Sequence, residues 1–404
     1  MDKVKNTPIL RFPEFIEQWK NKRLGEIGEF KNGLNKGKKD FGFGIPFVNL
    51  MDVFGKQILI ASDFGLVNAS TKEIDTYNLM KGDILFIRSS VKRTGVGQTI
   101  LITKDYHNTV YSGFLIRFRL FYKMELLYKR YCFSVSSFRK ELLSFATSSA
   151  NTNINQESLE KIKVSFPSPK EQTKIAEFLS EVDKKIELLT KKKQGLENYK
   201  KGIMQKIFNQ EIRFKDDNGN DYPDWEEKKL LNISKFFSGG TPLTTVSHYY
   251  SGEIPFIKSG EINLTVTNQK ISEDGLNNSS SKTVKKGDLL YALYGATSGE
   301  VAISKIDGAI NQAVLCIRTT LDNTYLYNLL LFDKEKILSK YLQGGQGNLS
   351  ADIIKKLEIP VPKIEEQIKI AKLFNEFDVK INYISIQLNE MKQFKKALLQ
   401  QMFV

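Results

Sequence analysis

The residues in this chain best suited to chemistry are cations that stand among small hydroxyl side chains. In the first half they are Lys36, Lys38, Lys39, Arg88, Ser89, Lys92, Arg93 and Thr94. Guanidinium and ammonium groups bind phosphates, arginine can pair with a guanine edge through two hydrogen bonds, and hydroxyl groups take further contacts. These residue types predict a surface that binds a polyanion. A solvated turn is the alternative interpretation of the same loops.

The second half of the chain carries a different set at corresponding places. It consists of Thr241, Thr244, Thr245, Tyr249, Lys258, Ser259, Tyr294, Thr297, Ser298, Asn311 and Gln312. Asparagine and glutamine match the adenine edge in the major groove, but they also cap strands and turns. Both interpretations stay open. If the residues bind DNA, the two halves of the chain read two different short sequences.

The charge balance agrees with a polyanionic partner. The chain has 404 residues and a formal net charge of +14, from 60 Lys and Arg against 46 Asp and Glu. Neutralising phosphates releases counterions and favours binding to nucleic acid whatever its sequence. Many basic proteins bind no nucleic acid, so charge alone leaves this class of partner open.

Motifs for catalysis are absent from the sequence. There is no Gly-x-x-x-x-Gly-Lys-Ser/Thr loop for a nucleoside triphosphate and no Asn/Asp-Pro-Pro-aromatic motif of the kind amino-methyltransferases share. His107 and His248 are the only histidines and lack metal-ligand spacing. Glu177, Glu181 and Asp183 have lysine neighbours and are interpreted as a solvated helix face. The sequence therefore predicts a binding protein, neither a nuclease nor a methyltransferase in its own right.

Two long helices must position these loops. Residues 167–208 and 360–403 repeat each other with a shift of 195 positions, and neither has a proline after its opening turn. Apolar residues recur in alternating steps of four and three, which is the pattern of a coiled-coil seam. The seam residues are Ile175, Leu179, Val182, Ile186, Leu189, Leu196, Ile203, Ile370, Phe374, Phe377, Ile381, Ile384, Leu388, Met391 and Leu398. Each helix should have roughly 35 residues and a length of about 50 Å, and the two should pair antiparallel because neither can bury its own apolar stripe.

The segments before the helices are also duplicated. Matching stretches are Leu10–Phe12 and Ile212–Phe214, Phe30–Gly33 and Phe237–Gly240, Ile45–Val48 and Ile254–Ile257, and Lys81–Leu85 and Lys286–Leu290. Several matches in one order indicate an internal repeat. The expected domains are residues 1–155, a first long helix within 156–209, residues 210–350, and a second long helix within 351–404.

Short β-branched and apolar runs, separated by Gly, Asn, Asp and Ser, make the globular parts strand-rich. Strands are predicted at 84–87, 99–103, 114–118, 289–294, 301–304 and 313–318, and shorter helices at 124–145 and 326–341. The fold class is therefore α+β.

The compartment is expected to be the cytoplasm. No stretch approaches 18 apolar residues, and the first fifteen residues lack the apolar run of a signal peptide. Cys132 and Cys316 do not occupy matching positions of the repeat and are interpreted as reduced thiols.

Specific motifs of the second half resemble those of the specificity subunits of type I restriction–modification systems. They are Ser238–Pro242, Gly252–Gly260, Tyr294–Gly299 and Asn311–Ala313, together with the two Pro-x-Pro…Glu-Gln…Ile-Ala helices. The resemblance covers essentially the whole chain. The first half departs from it, since Val48–Leu50 stands where the second has Ile257–Ser259, and Arg88–Thr94 replaces Tyr-Gly-Ala-Thr.

The resemblance implies two tandem α/β target recognition domains separated by two long helices, which form an antiparallel coiled coil with a pseudo-twofold repeat. Each domain would read one half of a bipartite double-stranded DNA target, at a gap set by the helices. Two modification subunits that carry S-adenosylmethionine and methylate adenine would dock on the helices. Restriction subunits that use ATP and Mg would cut DNA, as part of bacterial defence. No cofactor is implied for this chain. The alternative is a non-catalytic coiled-coil adaptor whose basic loops touch no base.

Overall fold

The computed structural model describes residues 7–60, 63–148, 151–341 and 348–404. The chain forms two units, one made of residues 1–190 and 386–404 and the other of residues 191–385. Each unit thus combines one globular part with segments of both long helices. The α+β class and the internal repeat predicted from the sequence are confirmed.

The first unit contains short strands, short helices and the opening half of the first long helix. Its strands are β1 (Lys20–Arg23), β2 (Gly28–Asn32), β3 (Phe41–Val48), β4 (Gly65–Val67), β5 (Ile84–Ile87), β6 (Ser89–Ser90), β7 (Thr99–Leu101), β8 (Val110–Tyr111), β9 (Leu115–Leu120), β10 (Thr147–Ser148), β11 (Thr152–Asn153) and β12 (Lys163–Phe166). Its helices are α1 (Leu50–Val53), α2 (Thr71–Tyr77), α3 (Leu126–Cys132), α4 (Ser136–Phe145), α5 (Gln156–Lys161) and α6 (Pro169–Phe208), of which α6 continues into the second unit.

Two sheets dominate this unit. Strands β2, β9, β5 and β7 form an antiparallel sheet in that order, and β4, β3 and β8 form a second sheet in which β3 and β8 run parallel. Strand β5 is buried along its whole length, as its uninterrupted Ile-Leu-Phe-Ile sequence predicts. A separate pair, β1 and β12, joins the start of the domain to the segment just before α6.

The second unit has a corresponding set of elements. Its strands are β13 (Glu226–Lys229), β14 (Ser234–Ser238), β15 (Ile254–Ile257), β16 (Lys270–Ile271), β17 (Lys282–Val284), β18 (Leu289–Ala292), β19 (Val301–Ile303), β20 (Gly308–Ile310), β21 (Val314–Thr319) and β22 (Glu358–Val361). Its helices are α7 (Leu230–Ile233), α8 (Glu273–Asn277), α9 (Asn323–Phe332), α10 (Lys334–Tyr341), α11 (Ala351–Lys355) and α12 (Ile364–Gln401), of which α12 continues into the first unit.

Strand order in the second unit repeats that of the first. Strands β14, β21, β18 and β19 correspond to β2, β9, β5 and β7, and the parallel pair β15 and β20 corresponds to β3 and β8. The register corrects one detail of the sequence alignment. Phe30 pairs with Phe118 and Phe236 pairs with Ile317, so the counterpart of Phe30 is Phe236 and not Phe237. A one-residue slip moves a side chain to the other face of the sheet, and adjacent phenylalanines in the sequence hide such a slip.

A Lys-Gly-Asp turn opens the central strand of both sheets. Gly82 and Gly287 adopt φ values of 94° and 97°, a left-handed conformation that glycine adopts at little cost. Asp83 then accepts two hydrogen bonds from Arg119 at 2.8 and 2.7 Å. Asp288 accepts the equivalent pair from Arg318 at 3.0 and 2.7 Å. The turn fixes where β5 and β18 begin.

The start of each long helix is held by a buried glutamate. Glu171, which is 1% exposed, accepts two hydrogen bonds of 2.8 Å from Arg11 and one of 3.3 Å from the indole of Trp19. Glu366 is fully buried and accepts hydrogen bonds from Arg213 and from Trp225. A negative side chain in the first turn also interacts favourably with the exposed N–H groups there. We call these two clusters the helix-start networks.

The two long helices pack against each other with opposite chain directions. In the second unit, Lys200 binds Asp378 at 2.7 Å, and Phe208 stacks on Phe374 with ring centroids 5.8 Å apart. From Lys200 to Phe208 the chain advances along α6, while the contacted residue on α12 goes back from Asp378 to Phe374, so the two helices are antiparallel. In the first unit, Asp183 binds Lys395, which is the same pair with the helices exchanged.

Asp183 therefore differs from the sequence expectation of a solvated carboxylate. Its side chain is 16% exposed and accepts hydrogen bonds or ion pairs from Tyr131, Arg130 and Lys395. Glu177 and Glu181 are exposed, as expected. The sequence hid this role because all three partners lie more than 50 residues away along the chain, Arg130 and Tyr131 on α3 and Lys395 on α12.

Helix α6 has 40 residues and α12 has 38, so each is about 60 Å long. All the seam residues named above are buried or half-buried. Their exact pairing across the seam stays a prediction. The long helices begin at Pro169 and Ile364, inside the segments assigned to them, and residues before each start form a short helix and a strand. The domain boundaries themselves stay a prediction.

The two cysteines are free and buried in unrelated elements. Cys132 lies in α3 and Cys316 in β21. Burial raises the pKa of both thiols, that of Cys316 to about 12.

Candidate nucleic-acid interface

Polar side chains of the second unit gather where four strands end. Strands β15 and β20 are parallel, with Ile257 beside Ile310, so the residues that follow both strands emerge side by side. Those residues are Lys258 with Ser259, and Asn311 with Gln312. Two segments far apart in the sequence are thereby brought to one edge of the sheet.

Two antiparallel strands deliver their ends to the same place. The backbone N–H of Gly239, just after β14, donates to the carbonyl of Asn311 at 3.3 Å, and that of Leu293, just after β18, donates to Ala313 at 2.8 Å. The Thr241 hydroxyl also donates to the Gln312 side-chain oxygen at 2.7 Å. We call the residues that follow β14, β15, β18 and β20 the second edge.

Most of the predicted polar residues of this unit lie at the second edge with side chains at least partly exposed. Thr241, Tyr294 and Gln312 are exposed, and Lys258, Ser259 and Asn311 are half-buried. The turn at 259–261 packs against the turn at 295–297, which places Thr297 there as well. These side chains offer one cation, amide groups and hydroxyl groups, which together can contact phosphates and base edges.

Other predicted residues of this unit are engaged elsewhere. The Ser298 hydroxyl donates to the carbonyl of Leu293 at 3.0 Å and so stabilises its own turn. The carbonyl of Tyr249 accepts a hydrogen bond from Ser272, beside the first residue of β15 and not its last. Thr244 and Thr245 are exposed in the loop that leads to Tyr249.

The first unit has an equivalent edge, formed by residues that follow β2, β3, β5 and β8. The backbone N–H of Arg88 donates to the carbonyl of Phe114 at 2.9 Å, and its guanidinium donates to Gly113 at 3.3 Å. Ser89 follows in a short strand that pairs with Asn153. Arg88 is therefore the predicted cation that lies at this first edge itself.

The rest of the Arg88–Thr94 loop splits into two groups. Arg93 donates to the carbonyl of Leu143 at 3.4 Å, and the carbonyl of Thr94 accepts from Arg139 at 3.1 Å, so this part is tied to α4 and its neighbours. Lys92 is exposed, and its ammonium group has no hydrogen bond within the described part of the chain. Lys92 is free to contact a phosphate.

Lys38 and Lys39 lie at the other end of β3, whereas Lys36 follows β2, one residue after Asn35, whose side chain touches Gly113 of the first edge. Lys38 and Lys39 are exposed in the turn just before Phe41, the first residue of that strand. Lys36 forms an ion pair of 2.9 Å with Glu73. Hydrogen bonds from the backbone of Ser70, from Lys36 and from the Ser70 hydroxyl lower the pKa of Glu73 to about 2. Lys38 and Lys39 are therefore separated from the first edge by the length of β3, and the ammonium group of Lys36 is held by Glu73.

Apolar residues at the first edge were not predicted from the sequence. Met51, in helix α1 after β3, and Phe114, in the loop after β8, are 78% and 57% exposed. Exposure cannot be read from a hydrophobic residue in a sequence. The internal repeat held a signal, however, because Gly260 and Ala313 stand at the matching positions.

Within the described ranges, His, Cys, Asp and Glu form no group that could hold a metal ion. The described helices also include none that is both long and apolar enough to cross a membrane.

Comparisons with known proteins agree with this architecture. The family profile described as type I restriction modification DNA specificity domain matches residues 16–198 and 222–393. A curated relative, the putative type I restriction enzyme MjaX specificity subunit of Methanocaldococcus jannaschii, is 26% identical over 98% of this chain and 94% of its own length.

Two solved structures share the fold. The S subunit of a type I restriction–modification system from M. genitalium has a TM-score of 0.60 at 16% identity, covering 98% of this chain and 99% of its own. A chain from a study of complex assembly and conformational transition of the type I R-M system also has a TM-score of 0.60, at 14% identity, covering 95% of this chain and 97% of its own. Since the family profile matches most of the chain, in two copies, the chain belongs to the family of type I restriction–modification DNA specificity domains.

Proposed function

We propose that this chain is the sequence-specificity subunit of a type I restriction–modification system and that each unit reads one half of a bipartite DNA target. The observation that carries the proposal is the pair of edges. The same strand ends form both of them, yet the side chains that they present differ. A shared frame with different exposed residues suits the recognition of two different half-sites.

Chemistry at the edges supports base recognition in the major groove. Arg88 at the first edge can pair with guanine, and Asn311 with Gln312 at the second edge can pair with adenine. Lys92 and Lys258 supply positive charge for phosphates, which orient a protein on the duplex without reading its sequence. The net charge of +14 favours the same partner.

Catalysis then belongs to partner subunits. Two modification subunits that carry S-adenosylmethionine methylate adenine within the target, and restriction subunits that use ATP and Mg translocate and cut DNA. The long helices give these partners a docking surface, and the whole assembly works in the cytoplasm. In this arrangement the chain itself contributes recognition and no chemical step.

The proposal is tested by exchanging one reading unit. The chain would be co-expressed with its modification subunits, and the methylated sites in cellular DNA would be sequenced. Residues 230–357, which lie between strands β13 and β22, would then be replaced by the equivalent segment of another family member. We expect one half of the methylated motif to change and the other half to stay.

The matched control exchanges residues 24–162, which lie between β1 and β12, and should change the opposite half. If both halves change in either variant, the assignment of one half-site to each unit is wrong. If the parent complex methylates no defined motif and shifts no duplex in a gel, the chain is an adaptor and not a specificity subunit.

A further inference from the structure

Three large apolar side chains project into solvent at the first edge. Met51, Val91 and Phe114 are 78%, 84% and 57% exposed. Met51 lies in helix α1, which follows β3, and Phe114 lies in the loop between β8 and β9. Val91 follows β6, a short strand that begins two residues after the end of β5. Exposed apolar side chains that cluster on one functional surface mark an interaction site more often than side chains scattered singly.

The local structure turns these side chains outward while burying their neighbours. Helix α1 packs against β5, and its Val53 is 1% exposed, whereas Met51 of the same helix faces solvent. Leu115, next to Phe114, is fully buried. The exposed residues are therefore not needed to fill the core of the unit.

The second edge lacks these groups at the positions that can be matched. The turn after β15 is capped by Glu261 as α1 is capped by Asp52, so Gly260 corresponds to Met51. Leu293 donates to Ala313 as Arg88 donates to Phe114, so Ala313 corresponds to Phe114. Val91 lies in a stretch of loop that is longer in the first unit. At these two matched positions, the first unit carries large apolar groups and the second unit carries small residues.

We infer that Met51, Val91 and Phe114 read thymine, by contacting its C5-methyl group in the major groove of the half-site bound by the first unit. This inference rests on the proposed function. The thymine methyl is the apolar group that unmodified base pairs present in the major groove, and all other base edges there offer donors and acceptors. Side chains without donors or acceptors would leave the polar groups of those other base edges without hydrogen bonds. A methyl group needs no hydrogen bond, so an apolar side chain can contact it without this penalty.

Phe114 could instead insert between stacked bases, as apolar wedges do in proteins that kink DNA. Such a wedge would not depend on the thymine methyl. The two modes are therefore separated by removing that methyl group alone.

The experiment uses the chain assembled with its modification subunits and a duplex that carries its methylated motif. Each thymine is replaced in turn by uracil, which pairs identically but lacks the C5-methyl group. We expect one or more replacements in the first half-site to weaken binding about fourfold for each methyl group that loses its contact. Replacements in the second half-site are the comparison and should have a smaller effect, because Gly260 and Ala313 offer less apolar surface at the matched positions.

Variants of the side chains complete the test. Met51→Ala and Phe114→Ala should weaken binding to the thymine duplex and abolish its difference from the uracil duplex. Met80→Ala is the matched control, because Met80 is 46% exposed at the opposite end of β5, in the Lys-Gly-Asp turn. It should keep the full uracil effect.

The inference is overturned if no uracil in the first half-site changes affinity, including the case in which Phe114→Ala still weakens binding. It is also overturned if the variants retain the uracil effect. In both cases the parent complex binds its motif, so the proposed function stands. A parent complex that binds no motif would overturn the proposed function itself.

Discussion

The helix-start networks and the two edges are duplicated in opposite ways. Around Glu171 and Glu366 the two units repeat the arginine, the indole and the buried carboxylate. At the edges they repeat the strands but not the side chains, with Phe114 in one unit where Ala313 stands in the other. The networks hold the fold, and the edges are left to vary. Within this one chain, the two copies agree where the long helices are held and differ where we propose that DNA is recognised.

The equivalence of the two long helices is tested most strongly with a fragment of residues 1–208. In the full chain, Leu398, Met402 and Phe403 of α12 pack into the hydrophobic core of the first unit, and the fragment lacks them. Ile203, Ile207 and Phe208 stand at the equivalent positions of its own helix. We expect the fragment to form a symmetric dimer in which each copy completes the core of the other. Sedimentation measures its mass.

Phe208→Ala in the same fragment should weaken the dimer, since the ring fills the place that Phe403 takes beside Tyr128 at 5.6 Å in the full chain. A fragment that stays monomeric and soluble at high concentration would break the equivalence of the two helix ends.

Glu171→Ala and Glu366→Ala should each destabilise one unit. Removing one partner of a buried ion pair costs about 3–5 kcal/mol, and we expect the lower end because Arg11 and Arg213 are 13% and 20% exposed. Hydrogen exchange should show the loss in the unit that carries the change. Glu181→Ala, on an exposed side chain, is the control. Equal loosening of both units by either variant would contradict separate networks.

Arg88→Ala should act on recognition and not on folding. Losing a bidentate contact to guanine costs about 1–3 kcal/mol of binding and relaxes specificity at one position of the first half-site. Lys92→Ala should weaken binding to all duplexes alike and lower the salt slope by about 1. We expect a smaller effect from Arg93→Ala, because Arg93 is bound to Leu143. Fluorescence anisotropy against salt concentration distinguishes the three, and unchanged affinity in all of them would remove this loop from the interface.

The smallest expected effect concerns Lys36, whose ammonium group is bound to Glu73. Lys36→Met should raise the pKa of Glu73 from about 2 toward 4.5, though not fully, since the backbone N–H of Ser70 remains. A lowered pKa in the folded state means that the pair stabilises the fold above pH 4.5 and loses this effect as pH falls toward 2. NMR titration of the Glu73 carboxyl measures the change, and Lys39→Met is the control. A weaker DNA affinity in Lys36→Met alone would show that Lys36 contacts DNA after all.

Much of the frame was predictable from the sequence. The long helices and their seam followed from apolar spacing, and strands such as β5 matched their predicted range because buried strands are continuous apolar runs. The matching stretches Lys81–Leu85 and Lys286–Leu290 coincide with the points where β5 and β18 begin. These features are local, or they recur at a fixed shift.

Other features depend on contacts that sequence spacing does not encode. Asp183 was interpreted as solvated because its partner Lys395 is brought near only by the fold. The candidate site residues divide between the two ends of β3 and of β15. The loop before a strand and the loop after it lie at opposite ends of that strand, and the sequence alone did not show which end faces the site. Phe114 was assigned to a strand, and its exposure follows from the turn that precedes β9.

The hydrophobic core of the first unit is built from residues 1–190 and 386–404, and this division has a consequence for biosynthesis. On the ribosome, residues 1–190 of the first unit are made early, but residues 386–404, which complete that unit, follow only after residues 191–385. At about 5–20 residues per second that wait is roughly 10–40 s. During this interval, the apolar residues that pack against Met402 and Phe403 in the complete chain have no partner from α12. We expect a nascent chain in that interval to bind chaperones through this exposed apolar surface. Two nascent chains on one messenger RNA are also close enough to cover each other's apolar surfaces.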